Sequence, residues 1–524
     1  MEVITVIFAI LAIVLASYYL LLRKLTYFKE RGVPHMPPVP LFGNFAATNL
    51  YRTSIGEQLV KIYQFQPEAK YVGMYLNQTP VFLIRDPELI KAIGVKNFEH
   101  FQNHRQAFDS NQDPIVSKNL IALRGQRWRE VRALLSPSFT AAKIKAMFIL
   151  MTNCAENFSE FLARQPPEKH EMDMKDVFTR FTNDVIASCA FGIQVDSMRN
   201  PDNEFFKNGS EATSFGFKAL LKLTALSLFP KFARKLGVKF VDKKQADFFT
   251  NAFKEIIETR ERTGTSRPDM LQLMMDSRGH KEGREDLTID DMVSQAFIFF
   301  FAGFETTSSL LCWGSREIAS NAEVQEKLQE EIERVLEESS GEVSYEAVNG
   351  MKYLEAVIYE TLRMYPGAIV LDRECENDFE LPPPLPGLKP VTLQKGLSVW
   401  FPAFAIQRDP KYYHQPDKFL PERFLDDPKI HNASTYLPFG IGPRMCIGNR
   451  FALLEAKVLF FYLLAKCNLK PSPKMKIPLQ WSKSRPMYPA EGFWLRVERF
   501  KYTVYFAYSI LHVLSTRFST TLPW

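Results

Sequence analysis

The run TIDDMVSQAFIFFFAGFETTSSLLCWGSREIAS, residues 288–320, constrains the fold more than any other stretch of this chain. It reads as one unusually long helix, with Thr288 and Asp291 at the spacing of an N-terminal capping pair. Other helical patterns surround it. GQRWREVRALLSPSF is stopped near Ser136-Pro137, and YLEAVIYETLRMYP carries an apolar stripe that ends at Pro366. NAEVQEKLQEEIERVLEE reads as a charged, solvent-facing helix. Strand-like pieces such as TPVFLIRD and LSVWFPAF are short and few. The expected fold is mainly α with a minor β lobe.

At 524 residues, the length alone suggests three domains of about 150 residues each. No low-complexity linker or internal repeat marks a boundary between 45 and 498. The hydrophobic fraction of 46% supplies a large core, and 44 phenylalanines point to an aromatic-rich interior or cavity. A net charge of +6, without a basic block, does not suggest nucleic acid. The cysteines Cys154, Cys189, Cys312, Cys375, Cys446 and Cys467 lack zinc-type spacing and suit a reducing compartment.

Val3–Leu22 carries no charge over 20 positions, enough to cross about 30 Å of hydrocarbon as a helix. Arg23, Lys24, Lys29 and Arg31 follow and place the remainder in the cytosol. The run is too long for a signal-peptide core, and Ser17-Tyr18-Tyr19 is a poor cleavage site. Residues 1–22 therefore read as a transmembrane anchor. Residues 23–44, basic and then rich in proline (Pro34, Pro37, Pro38, Pro40), read as a stiff hinge. Residues 218–240 mix Leu and Phe with Lys and Arg at helical spacing. They fit either an ordinary surface helix or a second, interfacial membrane contact.

PFGIGPRMCIGNRFALLEAK, residues 438–457, sets one cysteine at the mouth of a helix. A lone Cys446 is by itself most often a small hydrophobe. Here Arg444 and the helix start favour a thiolate, the flanking glycines admit close backbone approach, and Phe439 can exclude water. A shielded thiolate calls for a counter-charge, and a metal is the obvious one. The pattern Phe439, Gly442, Arg444, Cys446, Gly448 resembles the haem-binding loop of the cytochrome P450 family.

Other segments resemble that family in the same order. Glu360 and Arg363 of ETLR, with Arg423 of PERF, are similar to its structural ion triad. Glu331 and Arg334 have the same spacing but read as charged surface. Glu305 and Thr306 within AGFETT resemble its acid–alcohol pair, to which the resemblance assigns proton delivery during oxygen activation. Gly303 in that stretch costs roughly 1 kcal/mol relative to alanine, so something should offset it. Trp128 and Arg132 of WREVR resemble its haem-propionate pair, Arg444 a second propionate ligand, and Arg105 and Arg373 further ones. Phe108, Ile115, Phe301, Ala302, Ile369 and Val370 lie in segments similar to its substrate-contact regions.

The resemblance spans about 33–498, which implies one haem-thiolate catalytic domain over 45–498 and is most similar to microsomal, insect detoxification-type members. It implies haem b (iron protoporphyrin IX) on Cys446 and insertion of one oxygen atom from O2 into hydrophobic small molecules. The role is that of an unspecific monooxygenase in xenobiotic metabolism at the endoplasmic reticulum membrane. NADPH electrons would arrive through NADPH-cytochrome P450 reductase, with cytochrome b5 as a second donor. Arg127, Arg129 and Lys143 are candidates for docking the reductase. A haem-thiolate isomerase or dehydratase, and a non-catalytic haem-binding protein, share the same thiolate and remain alternatives. Residues 499–524 depart from the family pattern, and nothing in their composition explains them.

Overall fold

The computed structural model describes residues 2–105, 113–213, 222, 235–267, 269–278, 286–427 and 430–500. The principal helices are α1 (Glu2–Lys24), α2 (Gly125–Leu135), α3 (Ala141–Ala163), α4 (Met174–Phe191) and α5 (Lys243–Thr263). They continue as α6 (Ile289–Ser320), α7 (Ala322–Glu338), α8 (Lys352–Met364) and α9 (Asn449–Lys466). Phe108, residues 218–221 and 223–234, and the tail from 501 lie outside the described residues.

Capping fixes where α6 begins. The Asp291 amide donates to Thr288 Oγ1 at 3.1 Å, and the Thr288 amide donates to the Asp291 carboxylate at 3.0 Å. Two otherwise free amides of the first turn are thereby satisfied. The helix is apolar enough to cross a membrane, yet most of its side chains are buried against protein, so it is a core helix. It packs along α4, while α9 packs along α3. The phenylalanine surplus is found here: the Phe249 ring lies 5.9, 5.5 and 4.8 Å from those of Phe253, Phe297 and Phe300.

A second core lies in the β lobe. Strands β1 (Tyr71–Leu76) and β2 (Thr79–Ile84) pair antiparallel, with Met74 opposite Val81. Later segments add β3 (Glu171–Asp173), β4 (Leu371–Glu374), β5 (Phe379–Leu381), β6 (Val391–Leu393), β7 (Ser398–Phe401), β8 (Cys467–Pro471) and β9 (Trp494–Arg499). The main sheet has the order β1-β2-β7-β4, with β7 parallel to β2. Strands β3, β9 and β8 form a second sheet, and β5 pairs with β6.

The described apolar side chains of α1, among them Ile4, Phe8, Leu11 and Leu15, are exposed. The segment after it is docked into the β lobe. Phe28 is fully buried, and a Cβ built on Gly73 would come within 2.5 Å of its ring. Tyr75 Oη donates to the Leu25 carbonyl at 2.8 Å, and the Gly73 amide donates to Pro34 at 2.8 Å.

One expectation is corrected. Glu331 is not charged surface: it is buried and accepts from the Tyr353 and Leu354 amides at 3.0 and 2.9 Å, capping the start of α8. Helix α7 buries Val324, Leu328, Ile332 and Val335 on the same side, and that side carries Glu331 inward. The buried Phe28 yields a prediction. Phe28→Ala should destabilise the protein by about 3 kcal/mol, read as a lower midpoint in urea unfolding.

Candidate active site

Cys446 sits between a glycine-broken loop and the first turn of α9. Its amide donates to the Phe439 carbonyl at 2.8 Å, across a turn in which Gly440 and Gly442 both take positive φ, 86° and 70°. Cys446 counts as exposed by accessible surface. Burial is nevertheless the largest influence on its thiol and raises the pKa, against the Gly448 amide and the Arg132 charge. Both observations hold together when the sulfur faces a void enclosed by protein rather than bulk water. In such a place a free thiolate is disfavoured, and a coordinated metal deprotonates the thiol outright.

Four arginines gather near the loop, each lowering another's pKa or seated on the same segment. Arg373 is buried; its Nη1 donates to the Asp372 carbonyl at 2.7 Å and its Nη2 to Ile441 at 3.2 Å, while Nε has no partner. Burial pulls its pKa down to about 10. Arg444 is pushed to about 9, first by burial and then by the Arg373 charge. It lies 4.0 Å over the Trp128 ring and donates to the Gln102, Leu120 and Leu123 carbonyls and to Asn103 Oδ1. Arg444 is thus the fastener between this loop and residues 102–123. Arg132 is half-buried, lowered by burial, and has no side-chain partner among the described residues. Arg124, not expected from the sequence, donates to the His104 carbonyl at 2.9 Å and pairs with Glu374 at 2.7 Å.

Arg105 joins through its backbone: its amide donates to Asp372 Oδ2 at 2.6 Å, and His104 Nδ1 lies 2.9 Å from Oδ1. Burial pushes the Asp372 carboxyl up, but His104, the Arg105 amide and Arg373 together hold it below its ordinary value.

The central part of α6 is split between two environments. Phe299, Phe300, Phe304, Thr307 and Ser308 are buried, whereas Ile298, Phe301, Ala302 and Thr306 carry accessible surface in mid-helix. Thr306 Oγ1 donates to the Ala302 carbonyl at 2.7 Å, the local back-bond its position predicts. A Cβ built on Gly367 would lie 3.9 Å from that of Thr306, so the loop carrying Ile369 and Val370 borders this face. That loop continues into β4 and Arg373, which reaches the Ile441 carbonyl in the cysteine loop. Gly303 is explained by packing: a Cβ there would come 3.1 Å from Ile186 of α4. Ile115 is buried in the helical core, and its carbonyl accepts from Ser294 of α6 at 2.9 Å.

Glu305 and Thr306 do not share a partner. Lys175, at the start of α4, holds the Glu305 carboxylate at 2.8 Å and also donates to Ser308 at 2.8 Å and Ser309 at 3.2 Å. Lys175 is 130 residues away in sequence, and no spacing pattern points to it.

Beneath the loop, Glu360 and Arg363 are fully buried on α8. Arg363 grips both carboxylate oxygens at 2.7 and 2.9 Å, and Arg423 Nε reaches them at 3.1 and 3.2 Å. Gln407, unmarked in the sequence, links this triad to the loop. Its Nε2 donates to the Leu362 and Arg363 carbonyls, and its Oε1 accepts from the Leu437 amide at 2.6 Å. The docking candidates Arg127 and Arg129 are already engaged, Arg127 with Asp291 at 3.4 Å and Arg129 with Glu99.

An inward-facing sulfur, an orphaned buried Arg373 Nε and an unpartnered Arg132 together suit one flat ligand carrying a metal and two carboxylates. The residues fit haem. The cytochrome P450 family model matches residues 34–497, so the chain belongs to the cytochrome P450 family, which implies a haem cofactor and a monooxygenase. It is 41% identical to cytochrome P450 9e2 of Blattella germanica, over 94% of this chain and 97% of that protein. It is 38% identical to probable cytochrome P450 9f2 of Drosophila melanogaster, over 94% and 98%. Against cytochrome P450 6j1 of Blattella germanica it is 34% identical, over 91% and 94%.

The triad generates a prediction. Glu360→Ala leaves two arginines without their carboxylate in a dry site and should cost roughly 3–5 kcal/mol. The check is the unfolding midpoint together with the fraction of protein that retains haem.

Proposed function

We propose that this chain is a haem-thiolate monooxygenase that inserts one atom of O2 into hydrophobic small molecules, in xenobiotic detoxification at the endoplasmic reticulum membrane. NADPH would supply the electrons through a partner reductase, and α1 would anchor the domain with its body in the cytosol. The observation that carries the reading is the Cys446 thiol in its glycine-broken loop, with the Arg132 charge beside it and Arg373 held on the Ile441 carbonyl of the same loop, connected by contacts to the accessible Thr306 face.

When bound, the haem supplies an iron onto which the cysteine thiolate pushes electron density, as in other members of the family. The chain's own residues do the rest. Cys446 donates from a loop that its own hydrogen bond to Phe439 closes. Arg373 and Arg132 offer charge-assisted hydrogen bonds to carboxylates, and burial strengthens them. Ile298, Phe301, Ala302, Ile369 and Val370 offer apolar surface, which favours uncharged, hydrophobic substrates. Thr306 holds a proton on Oγ1 at the edge of that surface. Glu305, one residue before Thr306 and held by Lys175, is the nearest acid along the helix. The exposed apolar side chains of α1 support membrane attachment.

Two substitutions test the reading. Cys446→Ser should abolish the thiolate signature of the reduced, CO-bound protein, since a serine hydroxyl donates far more weakly to iron; an unchanged spectrum would reassign the ligand. Thr306→Ala should leave that spectrum intact while hydrogen peroxide rises and product per NADPH falls. A positioned acid–base group contributes about 10²–10⁴-fold, and water replaces part of the path, so the fall expected is about tenfold. An unchanged ratio of product to NADPH would remove Thr306 from proton delivery.

A further inference from the structure

The cysteine loop touches the β lobe at a point that the reading above does not use. Residues Ala92–Lys96 form a π-helical turn after the short helix Pro87–Lys91. Asn97 closes this turn by donating both its amide, at 2.8 Å, and its Nδ2, at 3.1 Å, to the Ala92 carbonyl. Such wide turns are rare and recur at functional sites. Here the turn brings Gly94 against the loop. A Cβ built on Gly442, whose φ is +70°, would overlap the Gly94 carbonyl oxygen. A Cβ built on Gly94 would come 2.7 Å from Ile441 Cγ2 and 3.7 Å from the Phe401 ring.

Both neighbours of this contact bear on the site. The Ile441 carbonyl accepts from Arg373, and the Gly442 carbonyl accepts from the Met445 amide at 2.9 Å, one residue before Cys446. The strand of chain that follows the turn makes a second contact, where Gln102 and Asn103 accept from Arg444. The loop is therefore held at two points by one continuous segment, 92–103.

We propose that Gly94 is a positioning residue for Cys446. Its bare Cα seats Ile441 and its carbonyl buttresses Gly442, which together set where the loop holds Cys446 and the Ile441 carbonyl that anchors Arg373. The inference rests on the haem-thiolate reading and adds a residue to it. A methyl at position 94 would meet Ile441 Cγ2 at 2.7 Å with the Phe401 ring in contact at 3.7 Å, so Ile441 must shift and displaces the loop with it.

The test is Gly94→Ala in the full-length haem protein, compared with Gly350→Ala, where an added Cβ meets nothing within 4 Å. The readouts are the haem reduction potential and, in a urea titration, loss of the thiolate-type CO spectrum beside loss of helix signal. Gly94→Ala should lose the thiolate signature at a lower urea concentration than wild type, ahead of the helix signal, and with a shifted potential. Gly350→Ala should match wild type. Ile441→Ala removes the methyl that the new Cβ would strike, so Gly94→Ala should have little added effect in that background. If Gly94→Ala alone does not fold, the pair Gly94→Ala/Ile441→Ala against Ile441→Ala carries the same comparison. A wild-type spectrum and potential in Gly94→Ala, or effects of the two substitutions that simply add, would overturn the inference. Absence of a thiolate-type CO spectrum in the wild-type haem protein would instead overturn the haem-thiolate reading itself.

Discussion

The site depends on a carboxylate that no water reaches. Glu360 is fully buried and accepts from Arg363, from Arg423 and from the Leu420 amide, so its lone pairs are occupied although it is desolvated. Ionised groups are taken out of water at a cost of several kcal/mol each, and only a dense set of hydrogen bonds offsets it. The arginines complete that set by donating onward: Arg363 to the Gln407 and Pro416 carbonyls, Arg423 to His414. Gln407 then carries the network to the Leu437 amide, two residues before Phe439. The cysteine loop hangs from this network at one end and is fastened by Arg444 at the other.

The parts of this arrangement that were legible in the sequence are those written contiguously. The spacing Phe439, Gly442, Arg444, Cys446 lies within eight residues, and each has a local reason: positive φ at Gly442, the turn to α9 at Gly448. The Thr288–Asp291 cap was legible for the same reason, since a capping box is a four-residue motif. The triad came from family resemblance, because Glu360 and Arg363 alone have the spacing of many surface pairs. Glu331 and Arg334 show how little spacing decides. Their spacing suits a surface pair, yet Glu331 is inside, because what fixes its side is the neighbour that α7 packs against.

Lys175, Gln407, Asn103 and Arg124 could not be read in the same way. Each acts through a contact with residues far along the chain, 130 positions for Lys175 to Glu305 and 341 for Asn103 to Arg444. Hydrophobic periodicity reports which face of an element is buried and says nothing about which polar group waits on the other side. Gly303 illustrates the same limit. Its helix-interior penalty was visible, but the compensation, close approach of Ile186, belongs to another helix.

The division of α6 gives the arrangement its chemical direction. Successive residues on a helix point about 100° apart, so Glu305 and Thr306 cannot both face the same wall. Glu305 turns toward Lys175 and the serines, where its charge is satisfied, and Thr306 turns toward the accessible face beside Gly367. A carboxylate turned to the apolar side would give up the Lys175 pairing and face side chains that cannot hydrogen-bond to it. A hydroxyl can sit there because the Ala302 carbonyl one turn back takes its proton-bearing bond. The helix thereby keeps a formal charge away from the hydrophobic surface while leaving an exchangeable proton on it. An acid placed one residue off the accessible face, and an alcohol on it, is the order that this packing enforces.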